Sequence, residues 1–179
     1  MPRNTPSLLC AQRLWRLVRG WDARSLGCES AVDEASLGPW AATVFRENER
    51  DLVLVIDVRT YLTVAFRLGG SLSEFRDAFA VALGVALDDL GVPRSRIGLE
   101  VKAVGRLPLG RLQDATVREA LDTVDFMCGI ELSNHSDLRT VQRNLNRFPH
   151  PHPPDYVPEA AVRRLFGVSE RVNLPRNVQ

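Results

Sequence analysis

The stretch DLVLVIDVRTYLTVAFRL, residues 51–68, limits the possible folds more than any other part of the chain. Leu52, Val53, Leu54, Val55 and Ile56 form a nearly unbroken apolar run, β-branched at Val53, Val55 and Ile56, which is the pattern of a strand covered on both faces. Beyond it Leu62, Val64, Phe66 and Leu68 alternate with Tyr61, Thr63, Ala65 and Arg67, so a second strand has one apolar face and one mixed face. The link Asp57-Val58-Arg59-Thr60 is too short for a crossover helix, and the two strands must pair antiparallel. Upstream, Trp40 to Phe45 reads as a strand and Glu47 to Arg50 as a polar turn. Together these predict a three-stranded antiparallel meander over about 40–68.

The helices follow from spacing. Ser71 and Glu74 stand at capping-box distance, where each side chain satisfies a free amide of the first turn. Leu72, Phe75, Phe79, Leu83 and Leu87 then recur at three- and four-residue intervals, predicting a core helix over 71–90 that lies on the sheet and ends at Gly91 and Pro93. Gln12 to Val18 reads as a short helix after a short strand at 7–11, and residues 97–105 alternate weakly and read as a further strand. A helix opening at Thr116 with Glu119 runs to about Cys128, and Ser136 or Asp137 caps another with Leu138, Val141, Leu145 and Phe148 inward. FPHPHPPDYVP, 148–158, is a stiff extended linker because its prolines remove amide donors. Pro158 then starts a closing helix that ends at Gly167. Residues 21–38 read as a surface loop. The expected architecture is α+β: an antiparallel sheet covered by the long helix at 71–90 and by further C-terminal helices. One domain spans 7–167, with a flexible tail at 1–6 and a loose tail at 168–179.

Composition excludes more than it assigns. The chain has 179 residues, 45% of them hydrophobic and 25% charged, which suits one globular domain and argues against general disorder. No apolar run approaches the roughly 20 residues that span a bilayer, and the N-terminus lacks a signal-peptide pattern, so the expected location is cytoplasmic with no membrane partner. Lys102 is the sole lysine, and the net charge of +1 exerts no global pull toward nucleic acid. Cys10, Cys28 and Cys128 are odd in number and widely spaced, which fits reduced thiols better than a disulfide framework or a zinc site. There is no P-loop, GxGxxG, HExxH or GxSxG, and no cofactor or metal is expected.

Several segments, taken in order, carry a resemblance: LLCAQRLWRL near the start, LGPWAATVF at 37–45, DLVLVIDVRTYLTVAF at 51–66, and Asp125-Phe126. They resemble a bacterial family of domains of unknown function, over roughly residues 7–167. Members usually carry an Asn-Arg-Ser run, a Gly and then Asn-Asp-Phe, where this chain has DATVREALDTVDF and keeps Asp125-Phe126. The resemblance implies the fold and no reaction. If that segment carries a family activity, it also implies an altered or lost one.

Three groups of residues are site candidates. Asp57, Arg59 and Thr60 cluster at the hairpin turn, where they either build a binding site together with Asp125 or serve the turn itself by accepting amide hydrogen bonds. Arg139, Arg143 and Arg147 stand one helical turn apart, as a phosphate-binding stripe or as an ordinary solvated face. His150 and His152 have too few companions for a metal, and His135 beside Ser136 and Asp137 reads as a capping loop. The expected function is a non-catalytic binding or interaction module whose partner is a protein or a nucleic acid. The alternative is a hydrolase or transferase using Asp57 and Asp125.

Overall fold

The computed structural model of the chain describes residues 7–21, 35–47, 50–134, 137–150 and 156–168. Its elements run β1 (Leu8–Cys10), α1 (Gln12–Val18), β2 (Trp40–Glu47), β3 (Arg50–Asp57), β4 (Thr63–Arg67), α2 (Leu72–Asp89), α3 (Arg94–Val104), β5 (Leu109–Arg111), α4 (Ala115–Asn134), α5 (Leu138–Arg147) and α6 (Pro158–Phe166). The strands form one sheet in the order β4-β3-β2-β1-β5. β2, β3 and β4 are the antiparallel meander, with Trp40 opposite Asp57 and Ile56 opposite Thr63. The sheet is nevertheless mixed, which corrects the purely antiparallel expectation: β1 lies parallel to β2 on one side and to β5 on the other. β1 is the short strand expected at 7–11, whose three residues do not announce their pairing, and β5 has three residues, too few for a period of two to register in the sequence. The parallel pairing of β1 with β2 is made by a crossover that contains α1.

The two-sided burial expected of β3 has a simple origin. Val53 and Val55 point into a core shared with α1 and α2, while Leu54 and Ile56 point into a second core shared with α4 and α5. On the first face Phe79 meets Trp40 edge-on at 5.1 Å and stacks on Phe66 at 5.7 Å. α2 is positioned there by its cap: the Ser71 hydroxyl accepts from the Glu74 amide at 3.2 Å, and the Glu74 carboxylate accepts from the Gly70 amide at 2.7 Å. Gly91, at φ +77°, ends the helix in the left-handed region that glycine tolerates.

Residues 97–105 are a second correction, since they belong to helix α3 and not to a strand. The alternation of Leu99, Val101 and Ala103 is too short to decide between periods, and the residues that become buried are Glu100, Ala103 and Val104, at helical spacing. Pro93 sits at the cap, and Ile97 and Val101 lie over Gly84 of α2. α4 continues past Cys128 to Asn134. Its first turn is capped by Asp114, whose carboxylate accepts from the Thr116 and Val117 amides at 2.8 and 3.1 Å. Asp137 does the same for α5.

β4 is an edge strand, and its outward backbone groups are met by side chains of α5. Asn146 accepts from the Thr63 amide at 2.7 Å and donates to the Thr63 carbonyl at 2.8 Å, and Gln142 accepts from the Ala65 amide at 2.9 Å. Both amide side chains are buried. The tails at 1–6 and 169–179, loop residues 22–34 with Cys28, linker residues 151–155 with His152, and His135 and Ser136 lie outside the described residues.

Candidate functional site

Asp57 ends β3 fully buried, and both its carboxylate oxygens are engaged. One accepts from the Arg59 amide at 3.0 Å, the Thr60 amide at 2.7 Å and the Thr60 hydroxyl at 3.0 Å; the other accepts from the Gly38 amide. The Arg59 guanidinium donates to the Ser36 carbonyl. Thr60 in turn accepts from the Leu62 amide at 3.3 Å. The loop before β2 is held a second time from α3, where buried Glu100 accepts from the Ser36 and Leu37 amides at 2.6 and 3.2 Å. Burial pushes the Glu100 carboxyl above its ordinary range, opposed by these two amides. Three consecutive backbone donors, at residues 36, 37 and 38, therefore meet two carboxylates from distant parts of the chain.

The same corner carries an aromatic group. Tyr61 sits at φ 56°, the left-handed region that a bulky residue occupies only when its surroundings hold it. Its ring lies 4.8 Å from His150 and 5.7 Å from Tyr156. The Tyr156 hydroxyl donates to the Arg59 carbonyl at 2.8 Å, and the His150 amide donates to the Tyr156 carbonyl at 2.8 Å. Burial lowers the His150 imidazole below its usual value. This arrangement ties the far end of the proline-rich stretch to the hairpin turn. The Tyr156 hydroxyl and carbonyl, the His150 amide and the Arg59 carbonyl are spent on one another, as a structural corner requires.

Arg139, Arg143 and Arg147 do form one face of α5, and each reaches a carboxylate. Arg139 holds Asp89 at 3.1 and 2.5 Å, and Arg143 reaches the same residue at 3.5 Å. The hydrogen bond from Arg139 is the main reason the Asp89 carboxyl stands below its ordinary range. Arg147 contacts Glu159 of α6 at 3.0 Å, and Arg163 joins it at 2.9 Å. The stripe is thus a solvent-exposed seam of ion pairs between α5, the end of α2 and α6. A phosphate would have to compete with Asp89 and Glu159 for it.

Asp125 lies elsewhere. It is half-buried on α4; burial raises its carboxyl, Asp122 adds to the shift and Arg13 opposes it. Arg13 is 3.8 Å from Asp51, at the opposite end of β3 from Asp57. Positions 51 and 57 are six steps apart along the strand, about 20 Å of extended chain. The two candidate carboxylates belong to different neighbourhoods. Next along α4, Cys128 is buried with its thiol pushed up to about 12, and Cys10 in β1 is also pushed up to about 12. Burial leads both shifts, so both are inert core thiols.

Sequence reasoning missed a different feature, an apolar surface on α4 and the end of α5. Phe126 is 71% exposed and Ile130 47%; Phe148, expected inward, is 54% exposed because α5 ends at Arg147 and Phe148 is already extended. Ile130 and Phe148 face each other across a shallow cleft between the helices, floored by Met127 and Leu145, with Glu131 and Asn144 bonded at 2.6 Å on its rim. Phe126 stands one turn from Ile130 beside Asp122 and Thr123. The sequence signal was present, since Phe126 and Ile130 fall outside the stripe of Leu121, Val124 and Cys128 that α4 buries. Glu100, Gln142 and Asn146 were also missed. Only the two amides, four residues apart beside Val141 and Leu145, left a local trace.

A family model for a domain of unknown function (DUF6933) matches residues 10–158. The chain belongs to that family. The matched span begins in β1 and ends at the first residue of α6, so it takes in the Asp57 corner and the apolar surface and stops one residue short of Glu159 in the α5 seam. A search of the curated proteins finds no match.

Proposed function

We propose that this member of the family is a non-catalytic interaction module of the bacterial cytoplasm that binds a protein through the exposed face of α4 and the end of α5. The observation that carries this reading is the exposure of Phe126 and Ile130 one turn apart on α4, with Phe148 across a cleft from Ile130. Contiguous exposed aromatic and aliphatic side chains mark contact sites far more often than scattered ones do. A protein partner is favoured over a nucleic acid because the guanidinium stripe is engaged by Asp89 and Glu159, and phosphate contacts supply most of the affinity for nucleic acid. The hydrolase or transferase reading needs Asp57 and Asp125 within reach of one substrate, and their separate neighbours give it no support. Two buried free thiols suit a reducing compartment. Among the described residues no helix is long and apolar enough to cross a membrane.

A photoreactive phenylalanine analogue at position 126 tests the reading in native cell extract. The expected result is a discrete protein adduct that is absent when the analogue replaces Val81, an exposed apolar residue on α2, and that is lost on Ile130→Asp or Phe148→Asp with the melting temperature unchanged. Adducts that ignore those two substitutions would overturn the proposed surface.

A further inference from the structure

Resting on the α4–α5 surface as the contact site, we infer that its partner is a cationic amphipathic helix packing lengthwise along α4. Charge is the first argument. α4 carries Glu119, Asp122, Asp125 and Glu131 against the single cation Arg118. Of these, Glu119, Asp122 and Arg118 are exposed on the same side as Phe126, two carboxylates to one guanidinium. Arg13, the cation from outside the helix that acts on Asp125, is drawn toward Asp51, and Arg147 before Phe148 is paired with Glu159. An apolar strip bordered by carboxylates is complementary to a helix with an apolar face bordered by Lys or Arg. The same charges oppose a second copy of the chain, which would set α4 against α4 and bring like charges together.

Gly129 supplies the second, independent argument. It lies inside α4, exposed, three residues after Phe126 and one before Ile130, and a Cβ built there would meet nothing within 4 Å. Glycine within a helix is unfavourable relative to alanine, and no packing among the described residues explains its presence. It is a surface notch beside the two anchors, where another helix backbone can approach more closely than any side chain would permit. Leucine side chains of the incoming helix would settle beside Phe126 and Ile130, with Phe148 closing one flank, in the groove-filling manner of helix recognition.

The test uses the full chain and two designed peptides of about 18 residues, five helical turns, with the same leucine stripe and either Lys or Glu at every flanking position. Binding of the Lys peptide is expected, weakening as salt rises and falling about tenfold or more on Phe126→Ala, as for a buried aromatic anchor. The Glu peptide is expected to bind at least about tenfold more weakly, because like charges then face each other. Gly129→Ala separates a binding notch from a structural glycine: it should raise the melting temperature of the free protein and weaken the Lys peptide. Equal binding of both peptides through Phe126 would keep the contact surface and overturn the cationic partner. Binding of neither, or binding that ignores Phe126 and Ile130, would overturn the surface itself. Concentration-dependent dimerisation lost on Phe126→Asp would make a second copy the occupant and refute the inference.

Discussion

Asp57 accepts four hydrogen bonds in a place that water does not reach. Asparagine there can keep the oxygen that serves Arg59 and Thr60, but its NH2 group then faces the Gly38 amide, donor against donor. Asp57→Asn should therefore destabilise the fold by about 1–3 kcal/mol, the usual cost of leaving a buried donor unsatisfied. Urea unfolding measures this, and an unchanged midpoint would mean that the corner relaxes freely. The turn role of Asp57 could be anticipated, since an Asp ahead of Arg-Thr in a tight connection commonly accepts from amides two and three residues on. Its bond to Gly38 and the companion role of Glu100 could not. Residues 36 and 100 are 64 apart in sequence, and no local pattern announces that meeting.

At the scale of elements, α5 is best understood through the strand it covers. An uncovered β4 would present free amide and carbonyl groups to any other strand. Gln142 and Asn146 occupy those groups, while Val141 and Leu145 of the same helix fill the second core. Gln142→Ala with Asn146→Ala should lower stability by about 1 kcal/mol or more for each bond lost and expose the β4 edge to self-association. Light scattering against protein concentration checks the second effect, and a monomeric double variant with the parent's stability would refute the covering role. The ion pairs on the other side of α5 join elements whose main attachment is apolar, and exposed pairs of this kind contribute little each. Helices α2 and α4 were legible in the sequence because each repeats apolar residues over about three turns, and α5 because an Asp137 cap precedes Leu138, Val141 and Leu145. β5 and α3 were not, because the few apolar residues of each do not separate a period of two from one of 3.6.

The whole molecule is one sheet between two cores, and β3 belongs to both. Phe79→Ala on one face and Leu121→Ala on the other should each remove buried side-chain contacts and leave a cavity, costing about 3–5 and 2–5 kcal/mol. Both residues are almost wholly buried. Because the strands are shared, each variant should lower a single cooperative transition, seen alike by near- and far-ultraviolet circular dichroism. Two separated transitions would show that the faces fold independently. The amino-acid sequence alone determined the central hairpin, the meander, the long helix with its Ser71 cap, and the inert setting of Cys10 and Cys128, since each rests on periodicity, capping chemistry or apolar context within a short span. Only the tertiary structure decided that the sheet is mixed, that residues 94–104 are helical, that the arginine stripe is engaged by Asp89 and Glu159, and that Ile130 and Phe148 line one cleft a helical turn from Phe126. The reason is physical: these outcomes depend on which distant residues meet, and side-chain partners chosen across the fold leave no period along the chain.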